Sequence, residues 1–566
     1  MKVGFDPDLE VVGDARSANA WLAGLSPQPA ARLDAIGRLL GSLSQRCTAT
    51  AHAGPRGLVE ALEPVRVAQW RAIMAALEPL AGRPVPFSPI EWPLLQSALA
   101  GLHALRNLYK RLHAQDARAE EANGTDTAAN GGLAVAQARF PDFLPLARAL
   151  DAQSRIVALQ LIHRCVPQEA DWDELCVLAR SLRRSAPQDE APPDEVPLVH
   201  PGTARALFVY PLLLECASLP SRTAVQAELV QRLAARLASR VGYRIDKGAP
   251  RDNEHGPRLA LTAAHAVRLD THRVPQMLAN RRRQWFGAGD SPDGATALPL
   301  PEAEVARLFE ELERCWSPAA TPRIAGAHPA ASAAAQPVRL RFGLPTTGVA
   351  ERRPASRPKP NAPKREAEGR YEYGRWEQNT IIRLAFAGAP AEAAGNLDGI
   401  DPSECATRLV DRPDGSTVIA RESAVPRTAP GALVAVEHAP EALQEARRLI
   451  ALGTVEAIEQ LPGRQSHASR AHWLVVRLWA GEARAVSVRV GDDDSAFEDA
   501  WLLRGLGASF ELPCLVLAPG RARGGDTGVL REAGSEVAIR FVSVLDAGSG
   551  YERVSVRTES GRHIRQ

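Results

Sequence analysis

Clustered cysteine is the first thing this 566-residue chain lacks. Its seven cysteines are scattered and no two form a C-x-x-C pair, which argues against a disulfide framework and a zinc knuckle. A lone cysteine in an apolar stretch, such as Cys176 in DELCVLAR, reads as a small buried hydrophobe. A reducing cytosol permits that usage. Lysine is scarce too: Lys2, Lys110, Lys247, Lys359 and Lys364 are the only ones, and arginine carries the remaining positive charge. There is no long hydrophobic run. The most apolar stretch, Ala206 to Ala217, is broken by Pro211 and Glu215 and falls short of the roughly 20 residues of a membrane-spanning helix. The N-terminus has no basic region leading into an unbroken apolar run, the pattern of a secretory signal. The expectation is a cytoplasmic protein with no transmembrane segment.

Charge of one sign is also missing. The 68 basic side chains nearly cancel 66 acidic ones, leaving a formal +2. A polycation that coats nucleic acid or anionic lipid is excluded, and no DNA partner is expected. Enzyme signatures are lacking as well. The chain contains no G-x-x-x-x-G-K-[ST], H-E-x-x-H, G-x-S-x-G or EF-hand loop. Gly505-Leu-Gly507 lacks the rest of a dinucleotide fingerprint. The expectation is a protein that is not an enzyme and uses neither cofactor nor metal.

What is present is ordinary globular composition, 45% hydrophobic and 24% charged, divided into two halves of different character. Residues 1–320 read as all-helical. Leu33, Ile36, Leu39, Leu40 and Leu43 form one stripe at three- and four-residue spacing, and a run from Leu94 to Leu112 forms another. Further helices are expected over 144–164, 172–185 and 223–245. In 301–316, Val305, Leu308, Phe309, Leu312 and Trp316 share a side, with a proline at the start and Ser317-Pro318 at the end. Residues 321–368, rich in Pro, Ala and Arg, read as an interdomain linker unable to bury enough apolar surface to order itself. Residues 369–566 read as antiparallel β, from short alternating runs such as ATRLVD, STVIARE, ALVAVEH and HWLVVRLWA. Turn residues at Asp414-Gly415, Ala480-Gly481 and Gly548-Ser549-Gly550 separate expected strand pairs. A short helix is expected over 440–452. This many strands fit one or two small barrels, since closure removes exposed edges. The fold class is therefore α+β multidomain, with an all-α N-terminal region followed by an antiparallel β-barrel.

Three clusters stand out as candidate sites. His255, His265 and His272 lie in EHGPRLALTAAHAVRLDTHR. On a helix, two histidines seven apart stand about 10 Å apart along the axis, too far to chelate one ion, so structural roles are expected. Arg281, Arg282 and Arg283 adjoin Trp285 and Phe286. They read either as a solvated helix end or as a dock for an anion or a partner. Between Arg339 and Arg383 there are eleven Arg/Lys against five Glu, a local +6, which reads as a solvated tether or as a ligand loop.

Within that basic stretch Arg353 and Arg357 form an R-x-x-x-R element. The segment CATRLVDRPDGSTVIARE (405–422) places Asp411 ahead of a turn with Ser416 beside it, and PGALVAVEH and LGTVEAIEQL follow as further strands. This order resembles PilZ domains, which bind cyclic di-GMP. The resemblance implies a PilZ-like β-barrel over 369–566 that contacts its ligand through Arg353, Arg357, Asp411 and Ser416. It also implies a signalling or adaptor protein of motility, pilus or envelope processes, whose helical region docks a protein partner. The rival reading is a helical scaffold with no small-molecule ligand.

Overall fold

The computed structural model describes residues 14–46, 54–80, 83, 85, 87, 91–124, 144–185, 203–246, 256–286, 300–317, 323–324, 336–344, 405–411, 416–421, 427–438, 450–460, 472–491, 496–504, 513–532, 534–548 and 550–558. The chain divides into two compact units. One holds Met1–Arg83 and Phe87–His328, the other Pro329–Gln566 with the short segment Pro84–Pro86.

The first unit contains α1 (Ala15–Ala23), α2 (Pro29–Arg46), α3 (Gly54–Leu77), α4 (Glu91–Gly124), α5 (Leu144–Ile162), α6 (Glu169–Ser185), α7 (Ala204–Cys216), α8 (Ala224–Ala238), α9 (Val274–Phe286) and α10 (Glu302–Cys315). The stripes read from the sequence face inward. Leu33, Ile36, Leu39, Leu40 and Leu43 on α2 are all buried, as are Val305, Leu308, Phe309, Leu312 and Trp316 on or beside α10. The Trp316 indole donates to the Leu213 carbonyl at 3.1 Å, anchoring α10 to α7. α8 begins with a capping box in which Thr223 and Gln226 each satisfy the other's backbone N–H. α5 is the central helix, buried from Leu144 through Leu161. Among the described residues, no helix is long and apolar enough to cross a membrane.

This unit also holds a small four-stranded sheet, β1 (Gly242–Asp246), β2 (Arg258–Ala260), β3 (Ala266–Asp270) and β4 (Arg323–Ile324), ordered β1-β3-β2-β4. The expected helix over 223–245 therefore ends early, with Ser239 as its C-cap, and Gly242 starts a strand. A Cβ at Gly242 would stand 3.3 Å from Asp270 Cβ, so the close strand approach favours glycine. β2 and β3 were hidden because LALTAAHAVRL satisfies a helical period as well as a strand alternation.

The second unit is built from two closed barrels. The first uses β5 (Gln336–Phe342), β6 (Cys405–Asp411), β7 (Ser416–Arg421), β8 (Leu433–His438), β9 (Ile450–Gln460) and β10 (His472–Leu478), closed in the order β10-β7-β6-β5-β8-β9. The second uses β11 (Glu482–Val490), β12 (Glu498–Arg504), β13 (Cys514–Leu517), β14 (Thr527–Glu532), β15 (Ser535–Gly548) and β16 (Tyr551–Thr558). Its closure, β11-β12-β13-β16-β15-β14, is the first barrel's order with six added to every strand number. The unit is thus a tandem of one topology.

Several expected boundaries move. Residues 336–342, assigned to the linker, form β5. Val338, Leu340 and Phe342 alternate with Arg339 and Arg341, a strand pattern masked by the surrounding Pro/Ala/Arg composition. Ile450–Leu452, assigned to a helix, opens β9. Ala480-Gly481 is not a hairpin turn: β10 and β11 belong to different barrels, and these residues join them. Gly548 and Gly550 do flank the β15–β16 turn, with Gly550 at φ +84°. The run 379–386 lies outside the described residues.

The two barrels share a seam. Leu433, Ala435 and Leu452 from the first pack with Ala483, Trp501, Leu503, Cys514, Val516 and Tyr551 from the second, and Trp479 of the junction packs against them. The Trp501 indole donates to the Gly343 carbonyl at 3.3 Å. Trp501→Ala is expected to cost about 3–5 kcal/mol, read as a lower urea midpoint for the β unit; a loss below about 1 kcal/mol would mean the seam is loosely packed. In the helical unit, His163 ends α5 buried against the edge of Phe87, with ring centroids 5.8 Å apart. Burial, with Arg164 adding to it, lowers its pKa from 6.5 to about 4. The folded value lies below the unfolded one, so its contribution is full above pH 6.5 and is lost as pH falls toward 4. The stability of His163→Phe should therefore vary less with pH across that window than the parent's, by up to about 3 kcal/mol; identical profiles would contradict this.

Candidate ligand site

The candidate carboxylate Asp411 closes β6 at the β6–β7 turn. The register slips between Arg408 and Val410, and this bulge brings two residues three apart onto one face. Arg408 Nε donates to Asp411 Oδ1 at 3.0 Å and its Nη2 pairs with Oδ2. From across the turn the Thr417 hydroxyl donates to Oδ1 at 2.7 Å. The Asp411 side chain is nonetheless 58% exposed against 22% for Arg408, so an oriented carboxylate–guanidinium pair faces solvent. Ser416, the first residue of β7, is 1% exposed and stands opposite Arg477 of β10. Arg353 and Arg357 lie outside the described residues. The connection that carries them leaves β5 at Phe342 and enters β6 at Cys405, the end of β6 opposite Asp411. At about 3.3 Å per residue those two ends stand about 20 Å apart.

That opposite end carries a second polar group, which the sequence did not signal. Arg421 ends β7, His472 opens β10 and Gln460 ends β9. The register sets His472 opposite both of the others, and all three are buried. The Arg421 guanidinium lies 5.0 Å from the centroid of the Phe342 ring, and burial lowers its pKa to about 10. Two arginines assigned to the basic linker, Arg339 and Arg341, belong to the barrel wall, with Nη atoms 4.0 and 3.5 Å from Glu437 Oε2. Between the two ends, Leu340, Ile419, Val434, Val436, Leu474 and Val476 are buried on the face that cross-strand pairing turns inward.

In the helical unit His265 is a structural pin. It sits in the β2–β3 turn, with Nδ1 2.8 Å from Asp173 Oδ1 and Nε2 2.6 Å from Arg180 Nη1. Arginine donates only, so Nε2 accepts and the proton resides on Nδ1, pointing at Asp173. Thr262 also donates to Asp173, at 2.6 Å. His272 pairs with Asp270 at the surface, and His255 lies outside the described residues. Arg281, Arg282 and Arg283 lie on α9. Burial first, then Arg236, lowers the Arg281 pKa, while Arg282 and Arg283 are exposed. Among the described residues, no group of three or more His, Cys, Asp or Glu is arranged to hold a metal ion.

Residues 16–244 match the family model described as "Cyclic-di-GMP receptor FimW, N-terminal domain", a span running from α1 into β1. No curated protein and no solved structure matches the chain.

The Asp411–Arg408 pair is largely solvent-exposed, and such pairs contribute about 0–1 kcal/mol. Asp411→Ala is therefore expected to shift the melting temperature by no more than about 2 °C. Calorimetry that finds the β unit unfolded would make this carboxylate part of the fold.

Proposed function

We propose that this chain is a non-enzymatic cytoplasmic receptor for cyclic di-GMP, acting as an adaptor in pilus, motility or envelope processes. The first barrel holds the nucleotide in a PilZ-like manner, and the helical unit engages the protein partner. The observation that carries this reading is the match of residues 16–244 to a family model described as a cyclic-di-GMP receptor. The proposed site draws support from the asymmetry of the tandem. The second barrel joins its first two strands across residues 491–497, whereas the first does so across 343–404, the segment containing Arg353 and Arg357. The second ends β12 on Arg504, paired with Glu532. The first ends β6 on Asp411.

The chemistry suits a cyclic dinucleotide. A guanidinium fork matches phosphate oxygens and the O6/N7 edge of guanine, and a carboxylate accepts from the guanine N–H groups. Thr417 orients the carboxylate and Ser416 shapes its turn. Arg353 stands about 11 residues beyond Phe342, a reach of up to about 36 Å, enough to cover the length of β6 and arrive at Asp411. Arg408, already on Asp411, is the group a bound guanine would displace.

The burial of Ser416 and the pairing of Asp411 with Arg408 favour the rival, a protein-binding scaffold with no nucleotide. Isothermal titration of the full chain with cyclic di-GMP separates the two. The receptor reading expects saturable heat, with affinity at least about tenfold weaker, or about 1.4 kcal/mol, in Arg353→Ala, Arg357→Ala and Asp411→Ala. No heat at millimolar nucleotide would leave the scaffold.

A further inference from the structure

Helices α3 and α5 are bridged by three side-chain rungs that climb both helices together. On the first, Arg148 donates to Glu63 through one edge of its guanidinium, Nε to Oε1 at 3.0 Å and Nη2 to Oε2 at 2.8 Å. Tyr109 of α4 adds a hydroxyl to Glu63 Oε1 at 3.0 Å. On the second, Arg66 Nη1 lies 3.5 Å from Asp151 Oδ2, while its Nη2 donates to Glu63 Oε2 at 2.9 Å. The third sets Arg155 against Trp70, with the guanidinium carbon 4.1 Å from the ring centroid. Each rung advances by one helical turn on both helices, so all three share one face.

The third rung differs from the others. Its arginine shares the Asp151 carboxylate with Arg66. Arg155 gives only Nε, to Asp151 Oδ1 at 2.8 Å. Its two terminal nitrogens, Nη1 and Nη2, are buried with no hydrogen-bond partner, in a residue 3% exposed. Buried guanidinium donors left open are costly. The open edge is the one that receives two oxygens of a planar or tetrahedral oxyanion side by side, and the Trp70 ring backs the guanidinium plane.

We infer that Arg155, stacked on Trp70 at the top of the α3–α5 ladder, is a binding site for a single oxyanion group, phosphate or carboxylate in chemistry. The site is distinct from the barrel and stands whether or not the barrel binds a nucleotide. The ligand completes the third rung as Glu63 and Asp151 complete the first two. Because the rung is closed to solvent, the oxyanion reaches it through local separation of α3 from α5, and occupancy clamps the two helices.

The test is made on the full chain with inorganic phosphate and, separately, cyclic di-GMP. At about a hundredfold excess over its dissociation constant, a bound oxyanion raises the melting temperature of the helical unit by about 5–10 °C. That rise is expected to vanish in Arg155→Met and persist in Asp411→Ala. Stabilisation by phosphate names a free oxyanion as the ligand. Stabilisation by the dinucleotide alone, lost in Arg155→Met and kept in Asp411→Ala, names a nucleotide phosphate. Should Arg155→Met not fold, crystals of the parent grown with selenate give the same answer. An anomalous peak within hydrogen-bond distance of both Arg155 Nη atoms supports the site, and its absence overturns it. No stabilisation by either anion in the parent, or a rise that survives in Arg155→Met, also overturns it.

Discussion

Closure of the sheet is the constraint on which the β unit depends. Six strands that return to the first leave no edge to pair with another chain, and each barrel buries apolar side chains of its own strands. Among the described residues of the first barrel, buried polar groups gather at the strand ends and apolar ones between them. The exposed Asp411–Arg408 pair and the buried Arg421–His472–Gln460 group stand at opposite ends of the first barrel. A bulge in β6 makes the first of these possible, because without the slip after Arg408 the two charged side chains would point to opposite faces.

The tandem adds a second constraint. The two barrels share one strand order and are joined only by residues 479–481, so the seam built on Trp501, Trp479 and Tyr551 holds them to each other. Gly481 lies at φ +127°, and a Cβ there would come within 2.3 Å of the Arg504 carbonyl oxygen. The junction is thus fitted to one arrangement. With the second barrel's corresponding strand ending on an ion-paired arginine and its first connection short, the repeat supplies an internal comparison for the first.

Much of this was legible from residues alone. The helical stripes on α2 and α10 and the alternation of β6 to β10 predict the elements that form, because burial on one face imposes a period that survives in sequence. Other features were obscured by competing signals. β5 sits inside a Pro/Ala/Arg-rich stretch, and its three inward residues carry too little weight there. β2 and β3 are short enough that helical and strand periods coincide. β12 and β14 carry a weak strand signal, because AWLL is a continuous apolar run and Gly528 interrupts the other. The common topology of the barrels is invisible in sequence, since hydrogen-bonded order constrains polarity pattern far more than residue identity. The α3–α5 ladder is likewise unreadable from a linear chain: Glu63, Arg66 and Trp70 on one helix and Arg148, Asp151 and Arg155 on the other look like ordinary helix-surface residues until the helices are set side by side.

The helical unit and the β unit therefore carry different kinds of chemistry, a buried charge ladder in one and a solvent-facing carboxylate turn in the other. Hydrogen–deuterium exchange of the full chain with and without cyclic di-GMP tests the central claim most directly. The account predicts slowed exchange over residues 405–421 of the first barrel, with the corresponding β12–β13 segment of the second unchanged. Unchanged exchange in both, or equal slowing in both, would contradict it.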